Sequence, residues 1–233
     1  MAIRRYCLFY NESGVIMALH QLKYPYRNVI GPFARKLTFI NPNVISFLAV
    51  IVAFLTGLFI YLGNSNPQYF LWVLFLIFMR MTLNTMDGVI AIERGQDNKI
   101  CGKVMNALPD RYSDLFVLCG LVLSPLVNNY IGLMGLCTVV LVSYSGMLGK
   151  ALGVSWQGYG PLDKVERFFW LIVAVIFQYI GCKNGQPDIQ FGSFNLSYLE
   201  ILMIVYFVLG QITVFRRYLG IRKEVKENSD MEW

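Results

Sequence analysis

The sequence predicts an all-α protein that crosses a membrane several times. Of its 233 residues, 56% are hydrophobic and only 15% are charged, and the mean hydropathy is +0.52. Soluble domains carry about 25% charged residues, so this composition excludes an ordinary soluble domain. The apolar residues form continuous runs, and the basic residues gather between alternate runs. Together these features predict a polytopic helical membrane protein.

Six apolar runs approach the length of a membrane-spanning helix, which needs about 20 residues. They lie at 44–62, 69–90, 108–127, 130–148, 168–182 and 198–215. Between 18 and 37, apolar and basic residues mix around Pro25 and Pro32, a pattern typical of an amphipathic helix on the membrane surface. A solvated linker is the alternative. We therefore expect an N-terminal extension at 1–17, a transmembrane domain at 18–220 and a cytoplasmic tail at 221–233.

The basic residues predict the orientation, because cytoplasmic loops are enriched in Lys and Arg. With the N-terminus inside, 18 of the 20 Lys and Arg residues fall on the cytoplasmic side, leaving Lys183 outside and Arg80 within a span. Both termini are therefore expected in the cytoplasm, with the chain integral to a bacterial or archaeal inner membrane or an organelle membrane. The net charge of +6 indicates attraction to anionic lipid headgroups. Without a nucleic-acid-binding motif, we expect no nucleic-acid partner.

Two polar stripes interrupt the second and third apolar runs. Each consists of amide, carboxylate or very small side chains spaced by three or four residues, which places them on one face of a helix. The first stripe contains Asn84, Asp87, Gly88 and Ala91, and the second contains Asn106, Asp110 and Asp114. Polar groups at membrane depth are costly and mark functional sites by default.

The second and third spans run in opposite directions, so residues on the two stripes can be matched by depth. This matching pairs Asp87 with Asn106, Asn84 with Asp110, and Arg80 with Asp114. If the stripes face one another, the inner pairs form an oxygen-rich cleft suited to Mg²⁺ or Mn²⁺. An unpaired charge at membrane depth costs roughly 2.5 to 3.5 kcal/mol on insertion scales, so we expect Arg80 and Asp114 to form a structural ion pair.

These stripes resemble the signature of the CDP-alcohol phosphotransferase family, D-x2-D-G-x2-A-R-x8-G-x3-D-x3-D. The matching positions are Asn84, Asp87, Gly88, Ala91, Gly102, Asn106 and Asp110. Residues 160–167 resemble a second segment, G-P-x-x-K-x-x-R, found in some bacterial members, with Lys164 and Arg167 as its basic residues. The layout of six helices behind an interfacial N-terminal helix is also similar, so the resemblance covers nearly the whole chain.

The resemblance implies a transferase of phospholipid biosynthesis. Family members move a phosphoalcohol group, such as phosphatidyl, from a CDP-linked donor to a second alcohol and release CMP, using a divalent metal. The implied partners are CDP-diacylglycerol or another CDP-alcohol, a small alcohol or lipid acceptor, membrane lipids, and a second copy of the chain in a homodimer.

Carried over residue by residue, the resemblance implies three groups of site residues. The ligands of Mg²⁺ or Mn²⁺ would be Asn84, Asp87, Asn106 and Asp110, with Asp110 also the catalytic base. The cytidine diphosphate would lie beside Gly88, Ala91 and Gly102, although small residues also serve close helix packing. A phosphate on the acceptor or headgroup would meet Lys164, Arg167 and Arg111, for which positive-inside topology is the alternative explanation.

The chain departs from the signature at four points. Two aspartates are replaced by Asn84 and Asn106, the usual arginine is Ile92, and one additional residue separates Ala91 from Gly102. Losing two negative charges is expected to weaken a two-metal site. An alternative function is therefore a catalytically impaired relative that binds lipid or nucleotide without transfer. A transporter would explain the intramembrane charges, but not the Gly and Ala residues at signature spacing.

Overall fold

The computed structural model describes residues 23–95, 100–154, 160–192 and 194–229, with the side chains of 23–28, 100–106, 191, 194, 228 and 229 outside the described part. The predicted extension at 1–17, residues 18–22 of the predicted amphipathic segment and residues 230–233 of the predicted tail therefore lie outside it, as do the surroundings of Gly102 and the side chain of Asn106. The described residues form seven helices and two short strands. In chain order these are α1 Lys23–Lys36, α2 Pro42–Leu62, α3 Gln68–Glu93, α4 Ile100–Leu123, α5 Asn129–Ala151, α6 Lys164–Lys183, β1 Asp188–Phe191, β2 Phe194–Ser197 and α7 Tyr198–Ser229.

Within these residues, five helices are long and apolar enough to cross a membrane, namely α2, α3, α5, α6 and α7. They account for five of the six predicted spans, and the prediction of an all-α polytopic protein is confirmed. The remaining run, at 108–127, falls on α4, whose 24 residues have the length of a span. Asp110, Arg111 and Asp114 lie near its middle, so this predicted span carries three charged side chains.

Two helix starts are set by asparagine caps. Asn41 Oδ1 accepts a hydrogen bond of 3.1 Å from the backbone N–H of Asn43, and Pro42 occupies the first turn of α2. Asn128 Oδ1 similarly accepts one of 3.0 Å from the N–H of Tyr130 at the start of α5. Such caps satisfy backbone donors that a helix leaves open, while proline lacks the donor altogether. The caps fix where the first and fourth of the predicted spans begin.

A close crossing of α2 and α4 depends on two glycines. A Cβ atom added to Gly57 would overlap the carbonyl oxygen of Phe116, and one added to Gly120 would overlap the backbone of Gly57. Backbones approach this closely only where neither residue has a side chain, as is common between membrane helices. The crossing brings α4, which carries the second polar stripe, against α2.

We expect Gly57→Ala to lower the free energy of unfolding by about 1 to 3 kcal/mol, because the new methyl group meets backbone that has no room to move. Unfolding in mild detergent, followed by circular dichroism, measures the loss. Gly31→Ala in α1 is the matched control, since a Cβ there meets no atom of the described residues within 4 Å. Equal stability of the two variants would contradict the close crossing.

The predicted amphipathic segment forms α1, which packs against α3. Ile30 and Ala34 are buried in a cluster with Met86, Val89 and Ile90 of α3. Two contacts reinforce this packing at the end of α3: Arg35 Nε lies 3.0 Å from Glu93 Oε1, and Arg94 Nε donates to Thr38 O at 2.7 Å. The segment is thus a helix with one packed face, and it lies beside the helix that carries the first polar stripe.

The other half of the molecule is formed by α5, α6 and α7. α7 packs against α5 and α6, and its buried residues include Leu199, Met203 and Tyr206. Before α7, β1 and β2 pair as an antiparallel hairpin that the apolar pattern did not predict. α7 then continues without a break past residue 220, where we expected the tail to begin, and ends at Ser229.

Candidate active site

The two polar stripes face each other across a gap between α3 and α4. Both helices pack closely on α2, whereas few backbone contacts join them directly. Long side chains from α3, α4 and α6 therefore bridge the space between them. The site is consequently a cleft bordered by three helices.

Asp87 lies at one end of the cleft and is almost completely buried, with 3% of its surface exposed. Its Oδ2 accepts a hydrogen bond of 2.8 Å from the hydroxyl of Ser46 on α2. The same hydroxyl also lies 3.2 Å from the carbonyl oxygen of Pro42. Among the described residues, no Lys or Arg lies within ion-pair distance of Asp87, and its predicted neighbour Asn106 has a side chain outside the described part. Ser46 belongs to none of the sequence motifs, so this contact was not predicted.

The middle of the cleft contains a compact group formed by Asn84, Asp110 and Lys164. Lys164 Nζ lies 2.9 Å from Oδ1 and 2.8 Å from Oδ2 of Asp110. The amide orientation of Asn84 that satisfies both neighbours places its nitrogen 3.2 Å from Asp110 Oδ1 and its oxygen 2.7 Å from Lys164 Nζ. The structure thus brings Asn84 and Asp110 together and adds Lys164, which is the first residue of α6.

Asp114 connects three helices at the other end of the cleft. Its Oδ1 lies 2.8 Å from Arg80 Nη2, and its Oδ2 lies 3.1 Å from Arg167 Nη1 and 3.5 Å from Arg111 Nη1. Arg80 is only 1% exposed, and its guanidinium carbon lies 4.8 Å from the ring centre of Phe168. Depth matching named Arg80 as the partner of Asp114, whereas the contribution of Arg167 from α6 depends on tertiary packing.

This end of the cleft contains more positive than negative charge. Three arginines surround the single carboxylate of Asp114, and Arg80 Nε is buried without a hydrogen-bond partner among the described residues. A cavity of about 30 Å³ lies here, and its polar lining comes from Arg80, Asp114, Lys164, Arg167 and Tyr206. A cavity of this size can contain a water molecule. The surplus of positive charge favours an anionic group nearby.

Arg217 of α7 holds the segment that leads into α6. Its Nη1 donates to the carbonyl oxygen of Val142 at 2.7 Å, and its Nη2 lies 3.3 Å from Asp163 Oδ1. One helical turn earlier, Thr213 Oγ1 accepts a hydrogen bond of 3.0 Å from the N–H of Leu162. These contacts position the residues immediately before Lys164. Arg217 lies outside the motifs, and its spacing of four from Thr213 was the only sign in the sequence that the two share a face.

We expect Arg217→Ala to lower the free energy of unfolding by about 1.5 to 3 kcal/mol, because hydrogen bonds from a charged group to α5 and to Asp163 are lost. Thermal unfolding in detergent measures the change. Arg216→Ala is the matched control, because Arg216 is the preceding residue of the same helix and its side chain is exposed. If both variants unfold at the same temperature, Arg217 does not hold this segment in place.

The predicted nucleotide-binding positions border the cleft on α3. Gly88 and Ala91 are half-buried, and a Cβ added to Gly88 would meet no atom of the described residues within 4 Å, so these residues leave space beside this backbone. Gly102, the third such position, has surroundings outside the described part. Ile92, which replaces the signature arginine, is 46% exposed, and the nearby Arg94 is bound to Thr38.

Three described side chains bring hard oxygen donors to the cleft, namely Asn84, Asp87 and Asp110. Among the described residues, no three His, Cys, Asp or Glu side chains are close enough to share an ion. The oxygens of Asn84 and Asp110 already surround the ammonium group of Lys164, whereas Asp87 has no cation in contact within the described part. A buried carboxylate of this kind is a suitable hard ligand for Mg²⁺ or Mn²⁺.

Comparisons with known proteins extend over most of the chain. The family model described as CDP-alcohol phosphatidyltransferase matches residues 39–212. The chain is 27% identical over 175 residues to the inner membrane protein YnbA of Escherichia coli strain K12, which covers 72% of this chain and 86% of that protein. It also resembles the crystal structure of Mycobacterium tuberculosis phosphatidylinositol phosphate synthase (PgsA1) with CDP-DAG bound, with a TM-score of 0.64 and 22% identity over 83% of this chain and 94% of that chain. At 22% identity, this structural similarity shows a shared fold and nothing further.

Proposed function

The chain belongs to the CDP-alcohol phosphatidyltransferase family, and on that premise we propose that it transfers a phosphatidyl group from a CDP-linked donor to an alcohol and releases CMP. CDP-diacylglycerol is the donor we propose first, because PgsA1 was crystallised with it. The observation that supports the proposal is that Asp87, Asp110 and Lys164 border one cleft, in which Lys164 is bonded to Asp110. These residues come from both motifs and from three helices.

Divalent metal use is general in the family. In this chain we propose that Asp87 holds one Mg²⁺ or Mn²⁺, with phosphate oxygens of the donor completing its coordination, as is usual for Mg²⁺ sites with one or two carboxylates. Bound there, the ion would neutralise the pyrophosphate and the charge that develops on the departing CMP. Ser46 would orient the carboxylate through its hydrogen bond to Oδ2.

Transfer forms a bond between the acceptor hydroxyl oxygen and the phosphorus of the phosphatidyl group, and it breaks the bond from that phosphorus to the CMP oxygen. The hydroxyl proton must leave, and Asp110 is the carboxylate proposed to accept it. Lys164 holds Asp110 through both oxygens and adds positive charge beside the reacting phosphate. The open space beside Gly88 would admit the cytidine diphosphate against the backbone of α3.

The positive end of the cleft is proposed to bind a phosphate on the acceptor or the lipid headgroup. Lys164, Arg167 and Arg111 are the residues that would meet it, and Arg111 is the most exposed of the three, with 35% of its side chain accessible. Asp114 balances only one of the arginines around it, so an anion would be attracted. A phosphorylated acceptor is therefore expected to react better than its unphosphorylated counterpart.

The proposed activity is tested by measuring CMP release from CDP-diacylglycerol by purified protein in detergent, with Mg²⁺ or Mn²⁺ and a panel of acceptors. The panel pairs each alcohol with its phosphate ester. We expect release that requires both metal and acceptor and that is lost in Asp87→Ala and Asp110→Ala. If protein shown to be folded releases no CMP with any acceptor, the proposed transfer from this donor is rejected.

A second function is favoured by one observation. Both oxygens of Asp110 are occupied by Lys164, so the proposed base is already paired. A relative that binds CDP-diacylglycerol or a nucleotide without transfer would fit this arrangement. Calorimetric binding of CDP-diacylglycerol without CMP release in the same preparation would favour this second function.

A further inference from the structure

Lys164 occupies the position where Asn84 and Asp110 would otherwise share a cation. Its ammonium group lies 2.7 Å from the amide oxygen of Asn84 and within 2.9 Å of both carboxylate oxygens of Asp110. These three oxygens are hard donors of the kind that divalent ions prefer. The ammonium group therefore has, on one side, the oxygen environment that a divalent ion would need.

The charges around Lys164 are balanced without any added ion. Asp110 contributes one negative charge and Lys164 one positive charge. Asn84 is neutral, and its amide N–H donates a hydrogen bond of 3.2 Å to Asp110 Oδ1. A divalent cation placed here would meet a like charge at contact distance and an N–H donor on the same carboxylate. Both effects oppose its binding, and the side chains of Lys164 and Asp110 are only 30% and 23% exposed, which limits solvent screening.

We propose that the ammonium group of Lys164 serves as a built-in cation between Asn84 and Asp110, so that the chain binds at most one divalent ion, at Asp87. The proposal rests on the function proposed above, in which a divalent ion acts at this cleft. It also gives a reason why asparagine is tolerated at position 84, because a second carboxylate there is not needed to balance a second divalent ion. The positive charge beside the donor phosphates is then partly supplied by the protein itself.

Counting bound Mn²⁺ tests the proposal without any enzymatic assay. Purified full-length protein in detergent is titrated with Mn²⁺ alone, and unbound Mn²⁺ is measured by its electron paramagnetic resonance signal. We expect wild-type protein to bind no more than one ion per chain. Lys164→Met removes the charge while keeping the length of the side chain, and it should add a second ion or tighten Mn²⁺ binding by about tenfold.

Two controls separate the charge of Lys164 from other effects. Lys164→Arg keeps the positive charge and should bind Mn²⁺ as the wild type does. Lys223→Met removes a lysine whose side chain is 75% exposed on α7, and it should also leave Mn²⁺ binding unchanged. The proposal would be overturned if Lys164→Met did not increase Mn²⁺ binding, or if Lys164→Arg increased it equally. Two Mn²⁺ ions bound to the wild type would also overturn it.

A further pair of variants decides the question if Lys164→Met does not fold. The proposal places the ion at Asp87 and not at Asp110, so Asp87→Asn should lose Mn²⁺ binding, whereas Asp110→Asn should retain it. Loss of binding in Asp110→Asn would overturn the proposal. Because none of these measurements uses CMP release, an inactive protein that shows the expected Mn²⁺ pattern would reject the proposed transfer while supporting the built-in cation.

Discussion

Asp87→Asn is expected to lower kcat for CMP release by about 10²- to 10³-fold, the range found when one preorganised electrostatic contact to a transition state is removed. Asparagine keeps the size of the side chain and can still accept the hydrogen bond from Ser46, so the packing of α2 on α3 should survive. What disappears is the negative charge that is proposed to hold the divalent ion. The effect should therefore appear in catalysis while the unfolding temperature changes little.

Two variants serve as controls for this prediction. Asp188→Asn makes the same chemical change on an exposed residue of β1 and should leave kcat unchanged. Ser46→Ala keeps the carboxylate but removes its orienting hydrogen bond, so its loss of kcat should be smaller than that of Asp87→Asn. If Asp87→Asn retains kcat within about threefold of the wild type, the charge of Asp87 has no place in the reaction.

Asp114→Ala is expected to lower the free energy of unfolding by about 3 to 5 kcal/mol, because it leaves Arg80 and Arg167 without their shared carboxylate. Most of this loss is expected from Arg80, because it is 1% exposed and water cannot replace the lost carboxylate. Arg80→Ala should be similarly destabilising. The double variant should lose less stability than the sum of the two single losses, and the difference, the coupling energy, should be about 0.5 to 3 kcal/mol.

The exposed pair Lys223 and Glu227 provides a matched control for this cycle. Their charged atoms lie 3.8 Å apart, and their side chains are 75% and 63% exposed. Alanine substitutions there should show a coupling of no more than about 0.5 kcal/mol, since solvent screens the charges. Unfolding of both sets in mild detergent gives the comparison. Equal coupling in the buried and exposed cycles would mean that Asp114 does not join α3, α4 and α6.

Much of the architecture could be predicted because membrane helices leave a strong pattern in sequence. Continuous apolar runs predicted the spans, and five of them coincide with helices that are apolar enough to cross a membrane. Counting residues along antiparallel spans placed Arg80 and Asp114 at one depth, and the structure brings them within 2.8 Å. Residue spacing within a helix and its direction suffice for such inferences.

The remaining features depend on which helices are neighbours, and spacing within a helix does not encode this. Ser46 is an ordinary residue of an apolar run until α2 packs beside Asp87. Lys164 and Arg167 were expected to meet a phosphate, which stays a prediction, whereas their pairing with Asp110 and Asp114 was not expected. The hairpin at 188–197 was missed because its short strands lie in a connection, where the apolar pattern that identified the spans is absent.

Asn84 and Asn106 replace two signature aspartates, and phosphatidyl transfer is nevertheless the activity proposed for this chain. The most direct test follows the lipid product of CDP-diacylglycerol by ³¹P nuclear magnetic resonance while CMP is measured in the same sample. We expect one molecule of new phospholipid for each CMP. This product should form only when metal and an acceptor are present, and Asp110→Ala should form none. Folded protein that binds CDP-diacylglycerol but forms neither CMP nor a new phosphodiester with any acceptor would contradict the proposed transfer.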